Sequence, residues 1–482
     1  MTEKLDIDTA QGTKPMAVAL STPEYTGWQA KIADYFDFAF YNTNFRTEIL
    51  AGITTFMTMA YILVVNPIIL SDAIFLEKPK DLFPELVIAT AVSAAVGTLI
   101  MALYAKYPFV TMPGMGLNAY FAYSVVIGLG FSWRLALAAV FVEGLIFIGM
   151  TVTDIRRHLI VAIPSCIKIA TTAGIGLFIA YIGLAGDPQF GGAGLIVANP
   201  ATKTAFGSFR QFPTIIAFLG ILIASAFIVR RIKGALLWGI LATSLLGWIV
   251  GAAAWPKGFV QIPPLPVHLF GEAIKGVSGI NATNWVDFLA VLLVFLFVDI
   301  FDTIGTLSGL ASQAGYINEK GDIPRANEVL MSDAIATTAG AVMGSSTVVT
   351  AVESASGIAE GGRSGFTALV AGVLFILAMF FIPVFEAIPA FATTPALIIT
   401  GVLMTSSVTG IRWGDMGEAI PAFLTIFLIP LTYSIAAGLS MGMITYPIIK
   451  SMQGKAHEVS VVTWILAAIF VARIIFMTIR FG

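Results

Sequence analysis

The stretch LLVFLFVDIFDTIGTLSGLASQAG places Asp299, Asp302, Thr306, Gly309 and Gln313 at i, i+3, i+7, i+10 and i+14 of an otherwise apolar run. On a helix of 3.6 residues per turn these positions form one polar stripe. An acid at membrane depth costs about 2.5 to 3.5 kcal/mol to insert, so such groups usually face a protein-lined cavity and serve function. Two of them one turn apart point to a proton relay or an ion site. Asp302, followed by Thr303 and Gly305, is the stronger candidate for function. Asp299 either shares in proton coupling or pairs with a neighbouring helix.

A third acid stands in STVVTAVESASGIAEGGRSG, Ser346 to Gly365. Glu353 falls at the first turn of a short helix of small residues, where the positive end of the helix dipole favours a carboxylate. Ser346, Thr347, Thr350 and Ser354 offer cheaper capping oxygens, so Glu353 reads as a ligand-facing group rather than a cap. Asn118, after PGMG in YPFVTMPGMGLNAYFAYSVV, takes a comparable place and can both donate and accept. Capping its own helix is the alternative reading for Asn118. Glu143, Asp333 and Glu386 lie in apolar segments without a polar stripe and read as structural pairs. Glu360 and Arg363 read as a solvated pair in an exit turn. His158, His268 and His457 form no metal set or triad, which disfavours an intramembrane enzyme.

The elements that must hold these groups follow from composition. The 482 residues are 58% hydrophobic and 11% charged, with a mean hydropathy of +0.91. That is the usage of a polytopic membrane protein. Uninterrupted apolar runs of spanning length, rather than alternation, call for helices and not a barrel. A net charge of -2, with no basic cluster larger than Arg230-Arg231-Lys233, argues against a nucleic-acid partner. The lone Cys166 forms no internal disulfide. The first 45 residues are polar and lack an apolar signal core, so the N-terminus is expected in the cytoplasm. Most basic residues of the short loops then fall on the cytoplasmic side, Lys106, Arg230, Lys233 and Arg412 among them.

Apolar segments between residues 49 and 449 number fourteen, and Val461 to Met477 is either a further span or a helix lying on the membrane. Seven plus seven, an odd number per half, gives a repeat of inverted topology. The third and tenth segments are short and broken by Gly or Pro. PFVTMP and STVVT read as short strands, each preceding a half-helix, since unpaired backbone at that depth must pair beside a cavity. Broken segments at matching places in two halves point to the substrate site of a secondary transporter. A carboxyl group from each of two helices repels anions and favours a neutral or weakly basic solute with N–H donors. Tyr61, Phe121, Phe297 and Phe301 could stack on a flat ring.

Four long stretches carry a family likeness: NFRTEILAGITTFMTMAYILVVNPIIL, TMPGMGLNAYFAY, VDIFDTIGTLSGLASQAG and RANEVLMSDAIATTAGAVMGSSTVVTAVESASGIAEGGRSG. Through them, over nearly its whole length, the chain resembles the AzgA-like hypoxanthine/guanine/adenine permease branch of the nucleobase/ascorbate transporter (nucleobase-cation symporter) superfamily. The resemblance implies an all-α polytopic membrane protein of fourteen segments in a seven-plus-seven inverted repeat. It implies a core domain of segments 1 to 4 and 8 to 11, residues 46–155 and 285–388 here. The gate domain would be segments 5 to 7 and 12 to 14, residues 156–255 and 390–452. Residues 1–45 then form an N-terminal segment, and 456–482 an apolar helix with no counterpart in that scheme.

The same likeness places the purine against Asp302 and Glu353, with Asn118 nearby. The resulting expectation is a proton symporter that imports guanine, hypoxanthine or adenine across a plasma or bacterial inner membrane by movement of core against gate. Its substrate residues would be Glu353, Asp302, Asn118, Thr350, Phe301 and Tyr61, and its proton-coupling residues Asp302 and Asp299. The proton is the coupling ion, with no other cofactor and no metal. The lipid bilayer surrounds the chain, and a homodimer is an open expectation. The rival reading is an anion transporter or channel of sulphate-permease-like fold, against which Glu353 speaks.

Overall fold

The protein is described by a computed structural model for residues 25–153, 164–188, 192–281, 284–317 and 323–481. Helix starts follow local chemistry. The Asn44 side chain accepts the Thr47 N–H at 3.0 Å and opens α1 (Phe45–Met59). The helix breaks at Ala60 and Tyr61 and resumes as α2 (Ile62–Ser71). α3 (Phe83–Ile100) carries proline in its first turn, where no N–H partner is lost. The third segment is β1 (Thr111–Pro113) followed by α4 (Met115–Ala119), which widens into π-type turns to Gly128. Then come α5 (Trp133–Val152), capped by Ser132, and α6 (Ser165–Leu184).

A hairpin that the hydropathy reading did not anticipate, β2 (Ile196–Asn199) and β3 (Lys203–Phe206), leads to α7 (Phe212–Val229) and α8 (Ala235–Val250). The second half begins with α9 (Trp285–Ala314) and α10 (Ala326–Met343). Its broken segment is β4 (Val348–Thr350), a 3-10 turn and α11 (Ala355–Ala359). α12 (Gly365–Ala378), α13 (Thr394–Thr405), α14 (Met416–Thr432), α15 (Ile435–Met452) and α16 (Val461–Phe481) complete the chain. A strand followed by a half-helix thus occupies the third place of each set of seven.

The two strands pair antiparallel, with Thr111 opposite Thr350, Met112 opposite Val349 and Pro113 opposite Val348. The ladder continues through Gly114 N–H to the Thr347 carbonyl and Ala351 N–H to the Val110 carbonyl, both at 2.9 Å. A two-stranded ribbon still exposes outer edges, which lipid cannot satisfy. Threonine hydroxyls close both edges. Thr98 on α3 donates to the Thr111 carbonyl at 3.2 Å and accepts its N–H at 3.1 Å. Thr337 on α10 does the same for Val348, at 2.8 and 3.2 Å. The second and ninth segments therefore perform one task for the third and tenth, the internal symmetry expected of an inverted repeat. Gly97, beside Thr98, allows this approach, because a Cβ there would lie 2.3 Å from the Thr111 hydroxyl.

Packing sorts the helices into two sets. α12 lies on α1 and α3, while α10 lies on α3 and α5; elsewhere α6 packs on α13 and α14, α7 on α8 and α13, and α14 on α15. α16 lies along α15, burying Leu466 and Phe470 against Met443 and Tyr446. Lys450 ties this end together, donating to Asp415 at 2.9 Å and Glu458 at 3.3 Å. The Lys450 hydrogen bond holds the Asp415 carboxyl well below the usual carboxylate range.

Candidate substrate site

The break in α1–α2 points Tyr61 across to the tenth segment, where its hydroxyl donates to Glu353 Oε1 at 2.7 Å. Thr58 and Ser356 share a hydroxyl hydrogen bond at 2.9 Å, and Ser356 donates to the Glu353 carbonyl at 2.8 Å, which fixes the short turn bearing the carboxylate. Glu353 Oε2 has no protein partner. Glu353 and Asp302 line one cavity of about 870 Å³, a size suited to a small molecule. Thr58 and Ser356 share their side of it, while Lys168 of α6 and Thr400 of α13 stand on walls from the other helix set. The arrangement offers acceptor oxygens, hydroxyls and aliphatic surface to a compact polar solute.

The residues expected at the site divide between this wall and the packing around it. Asp302 and Glu353 come together on the cavity, with Tyr61 fully buried and engaged through Glu353. Thr350 and Asn118 are fully buried and are not among the lining residues. Thr350 donates its hydroxyl to Asp333 Oδ1 at 2.8 Å and its N–H to Oδ2 at 3.3 Å. Asn118 Oδ1 accepts from the Ser346 hydroxyl, tying the third segment to the strand of the tenth. Asp299 is buried behind the wall, where the Thr303 hydroxyl lies 3.3 Å from it and donates at 2.8 Å to Asp333. Phe301 sits on α9, but its side chain lies outside the described residues. Phe121 and Phe297 pack in the core away from the lining, so neither offers a ring face to the cavity.

Two side chains acquire partners that sequence neighbours concealed. Glu360 pairs with Lys233 at 2.6 Å rather than with Arg363, because the α7–α8 turn folds over the end of α11. Arg363 instead donates to the carbonyls of Ile358 at 2.6 Å and Gly362 at 2.8 Å. Among the described residues no group of His, Cys, Asp and Glu could hold a metal ion.

A chain with this paired-strand centre and this wall can be set beside known proteins. A family model described as a permease family, Xan_ur_permease, matches residues 46–441. The chain belongs to this permease family. It is accordingly a membrane transporter and not an enzyme. A putative permease of Methanocaldococcus jannaschii is 48% identical over 93% of this chain and 99% of its own. The guanine/hypoxanthine permease PbuG of Bacillus subtilis is 43% identical over 92% of this chain and 99% of its own. The adenine permease AdeP of Escherichia coli is 36% identical, covering 94% and 98%. Among solved structures, the transmembrane domain of the cyanobacterial bicarbonate transporter BicA superposes with a TM-score of 0.60. It covers 82% of this permease and 98% of BicA, at 15% identity, a likeness of fold.

Proposed function

We propose that this permease imports purine nucleobases by proton symport, moving residues 46–155 and 285–388 against residues 156–255 and 390–452. The observation that carries the proposal is the pair of carboxyl groups, Glu353 and Asp302, on one cavity wall, with Glu353 Oε2 left without a protein hydrogen-bond partner. A carboxylate accepts adjacent N–H groups side by side, and purine bases present such donors on a flat edge. The names of the bacterial relatives, guanine/hypoxanthine and adenine permeases, agree with that chemistry. BicA shares the fold and carries an anion, but two carboxyl groups on the wall disfavour an anion here. In this reading Glu353 holds ring N–H groups and Asp302 both contacts substrate and exchanges a proton. Asn118 and Thr350 brace the strands behind them, and Asp299 serves the proton. The N-terminus lies in the cytoplasm of a plasma or bacterial inner membrane, and any homodimer leaves the cavity within each chain.

The deciding experiment is uptake of labelled guanine, hypoxanthine and adenine into proteoliposomes under an imposed pH gradient, with xanthine and uracil as competitors. Uptake is expected to follow the gradient. Uptake that ignores it and survives both Glu353→Gln and Asp302→Asn would show the mechanism to be wrong.

The Lys233–Glu360 ion pair joins the two helix sets beside Ile232 and Gly234 of the cavity wall. Core movement against the gate must change it. Both side chains are substantially exposed, so the pair contributes only about 0.2 to 1 kcal/mol. Lys233→Glu is expected to change the transport rate by about fivefold or less, and the exchange Lys233→Glu with Glu360→Lys to restore it. Failure of the double variant to recover would remove the pair from the cycle.

A further inference from the structure

On the gate side, the wall of the cavity that holds Glu353 and Asp302 is made of helix ends that share one face of the membrane. Ser165 and Lys168 stand at the start of α6, Ile232 and Gly234 in the α7–α8 turn, and Ser407 just past α13. With the N-terminus in the cytoplasm, this is the cytoplasmic face. The third segment and the α14–α15 turn run toward the opposite face, and among the described residues neither contributes to the wall.

Toward that opposite face the core rests on the gate. Gly116 of α4 brings the third segment against α6, because a Cβ at that place would run into the Ile175 side chain. In the π-type turns that follow α4, the Ser124 hydroxyl donates to the Tyr433 carbonyl. The Tyr433 ring meets Tyr123 edge-on, with 6.4 Å between centroids and 84° between planes. On its own side it is flanked edge-on by Phe178 at 5.4 Å and Tyr181 at 5.3 Å, both of α6. Tyr123 is held in turn, since its hydroxyl donates to Asp72 at the end of α2 at 2.8 Å. Edge-on rings about 4.5 to 7 Å apart attract beyond what their buried area supplies. Four rings and one hydrogen bond therefore close the outer seam between core and gate.

Tyr433 ends α14 with a φ of +51°, in the left-handed region that disfavours a side chain. Its counterpart in the inverted repeat is the turn between α7 and α8, where Arg231 holds a φ of +55°. That turn meets the tenth segment through Lys233 and Glu360, as the α14–α15 turn meets the third through Ser124. The two contacts differ in strength. The inner one is an ion pair between substantially exposed side chains, weakened by water. The outer one sets a buried Ser124 and a fully buried Phe178 around Tyr433. A strained residue persists where its surroundings over-determine it, and such residues gather at switch regions.

We propose that Tyr433 is the outer gate of the transport path. The α14–α15 turn closes the purine site against the outer medium, and release of Ser124, with parting of Tyr123 from Tyr433, admits the base. The inference rests on the reading of the chain as a core-against-gate purine importer with a cytoplasmic N-terminus. Tyr123 and Ser124 travel with the core, anchored by Asp72, while Phe178 and Tyr181 keep Tyr433 on the gate. Sliding of one body past the other breaks the contacts between them and leaves those within each.

Cys166 is the lone cysteine, so in Cys166→Ser protein thiol chemistry can be confined to chosen places. Ser124→Cys with Tyr433→Cys, joined by a short bis-methanethiosulfonate, is expected to keep hypoxanthine binding in detergent, to lose uptake, and to regain it on reduction. Failure to cross-link, or uptake that persists in the joined protein, overturns the gate, and loss of binding together with uptake counts against it. A second measurement needs no purine. In oriented proteoliposomes Thr58→Cys, on the cavity wall, is expected to react with a membrane-impermeant thiol reagent from the cytoplasmic face. From the outer face its reaction is expected to rise about tenfold or more when Tyr433→Ala is added. Tyr433→Phe, which keeps the ring and the carbonyl, is expected to leave it at the level of unchanged Tyr433. Equal outer labelling for all three overturns the proposal without bearing on purine transport. Absence of purine uptake by the wild type would instead strike the underlying reading and leave the labelling result standing.

Discussion

Glu353→Gln is expected to weaken purine binding by about 100- to 1,000-fold while leaving the protein folded. The wild-type carboxylate receives the Tyr61 hydroxyl on Oε1 at 2.7 Å and leaves Oε2 without a protein partner. Glutamine has one acceptor oxygen where glutamate has two. If the amide oxygen keeps Tyr61, its NH2 group meets the N–H donors of the base; if it turns to the base, the NH2 group opposes the tyrosine. Either way a charge-assisted hydrogen bond is lost and a donor is left unpaired. Together these cost roughly 3 to 4 kcal/mol, and each 1.4 kcal/mol corresponds to about tenfold in affinity. Tyr61→Phe removes only one donor to an oxygen that keeps its charge, and its expected cost is about 1 kcal/mol. Titration of hypoxanthine into purified protein measures both, and a Glu353→Gln dissociation constant equal to wild type would remove Glu353 from the site.

The difference between these two variants reflects what sequence can and cannot convey. The strands at residues 111–113 and 348–350 were legible because β-branched residues, proline and glycine interrupt otherwise continuous apolar runs, and backbone at that depth must pair. The acids of the wall were legible because Asp302 and Glu353 carry charge where charge is expensive. Side-chain direction and helix neighbourhood were not. Asn118 takes the helical place its spacing implies, yet it turns to Ser346 rather than to the cavity. Glu143 stands alone in its own helix, and nothing near it in sequence announces Thr347, 204 positions away. Lys233 and Glu360 meet only because two turns from different halves converge. The cavity wall is partly lined by Lys168 and Thr400, which belong to helices whose composition gives no sign of a site. Charge burial is a property of one segment and can be read from it, whereas pairing belongs to the packed set.

Glu48 shows the structural side of the same rule, and Glu48→Ala is expected to lower stability more than any substitution on the cavity wall. This glutamate lies in the first turn of α1 and is fully buried. Its carboxylate accepts the Thr43 hydroxyl at 2.8 Å, the Arg363 N–H at 3.0 Å, the Ser364 N–H at 3.3 Å and the Thr367 hydroxyl at 2.5 Å. Four donors from two distant segments thus converge on one side chain. Alanine strands them. The two hydroxyls can rotate toward carbonyls, but the backbone N–H groups of Arg363 and Ser364 are fixed by the turn, in which Gly361 holds a φ of +98°. Two buried unsatisfied N–H groups and the volume left by the side chain give an expected loss of about 3 to 5 kcal/mol. Glu48→Gln keeps the volume and one acceptor, so its expected loss is about half as large. The turn at residues 361–364 joins α11 to α12, and loosening it also frees the short helix that follows Glu353. Thermal unfolding in detergent is therefore expected to fall in the order wild type, Glu48→Gln, Glu48→Ala, with faster hydrogen exchange in the 361–364 turn. Equal melting temperatures for all three would show that this convergence of donors does not hold the tenth segment in place.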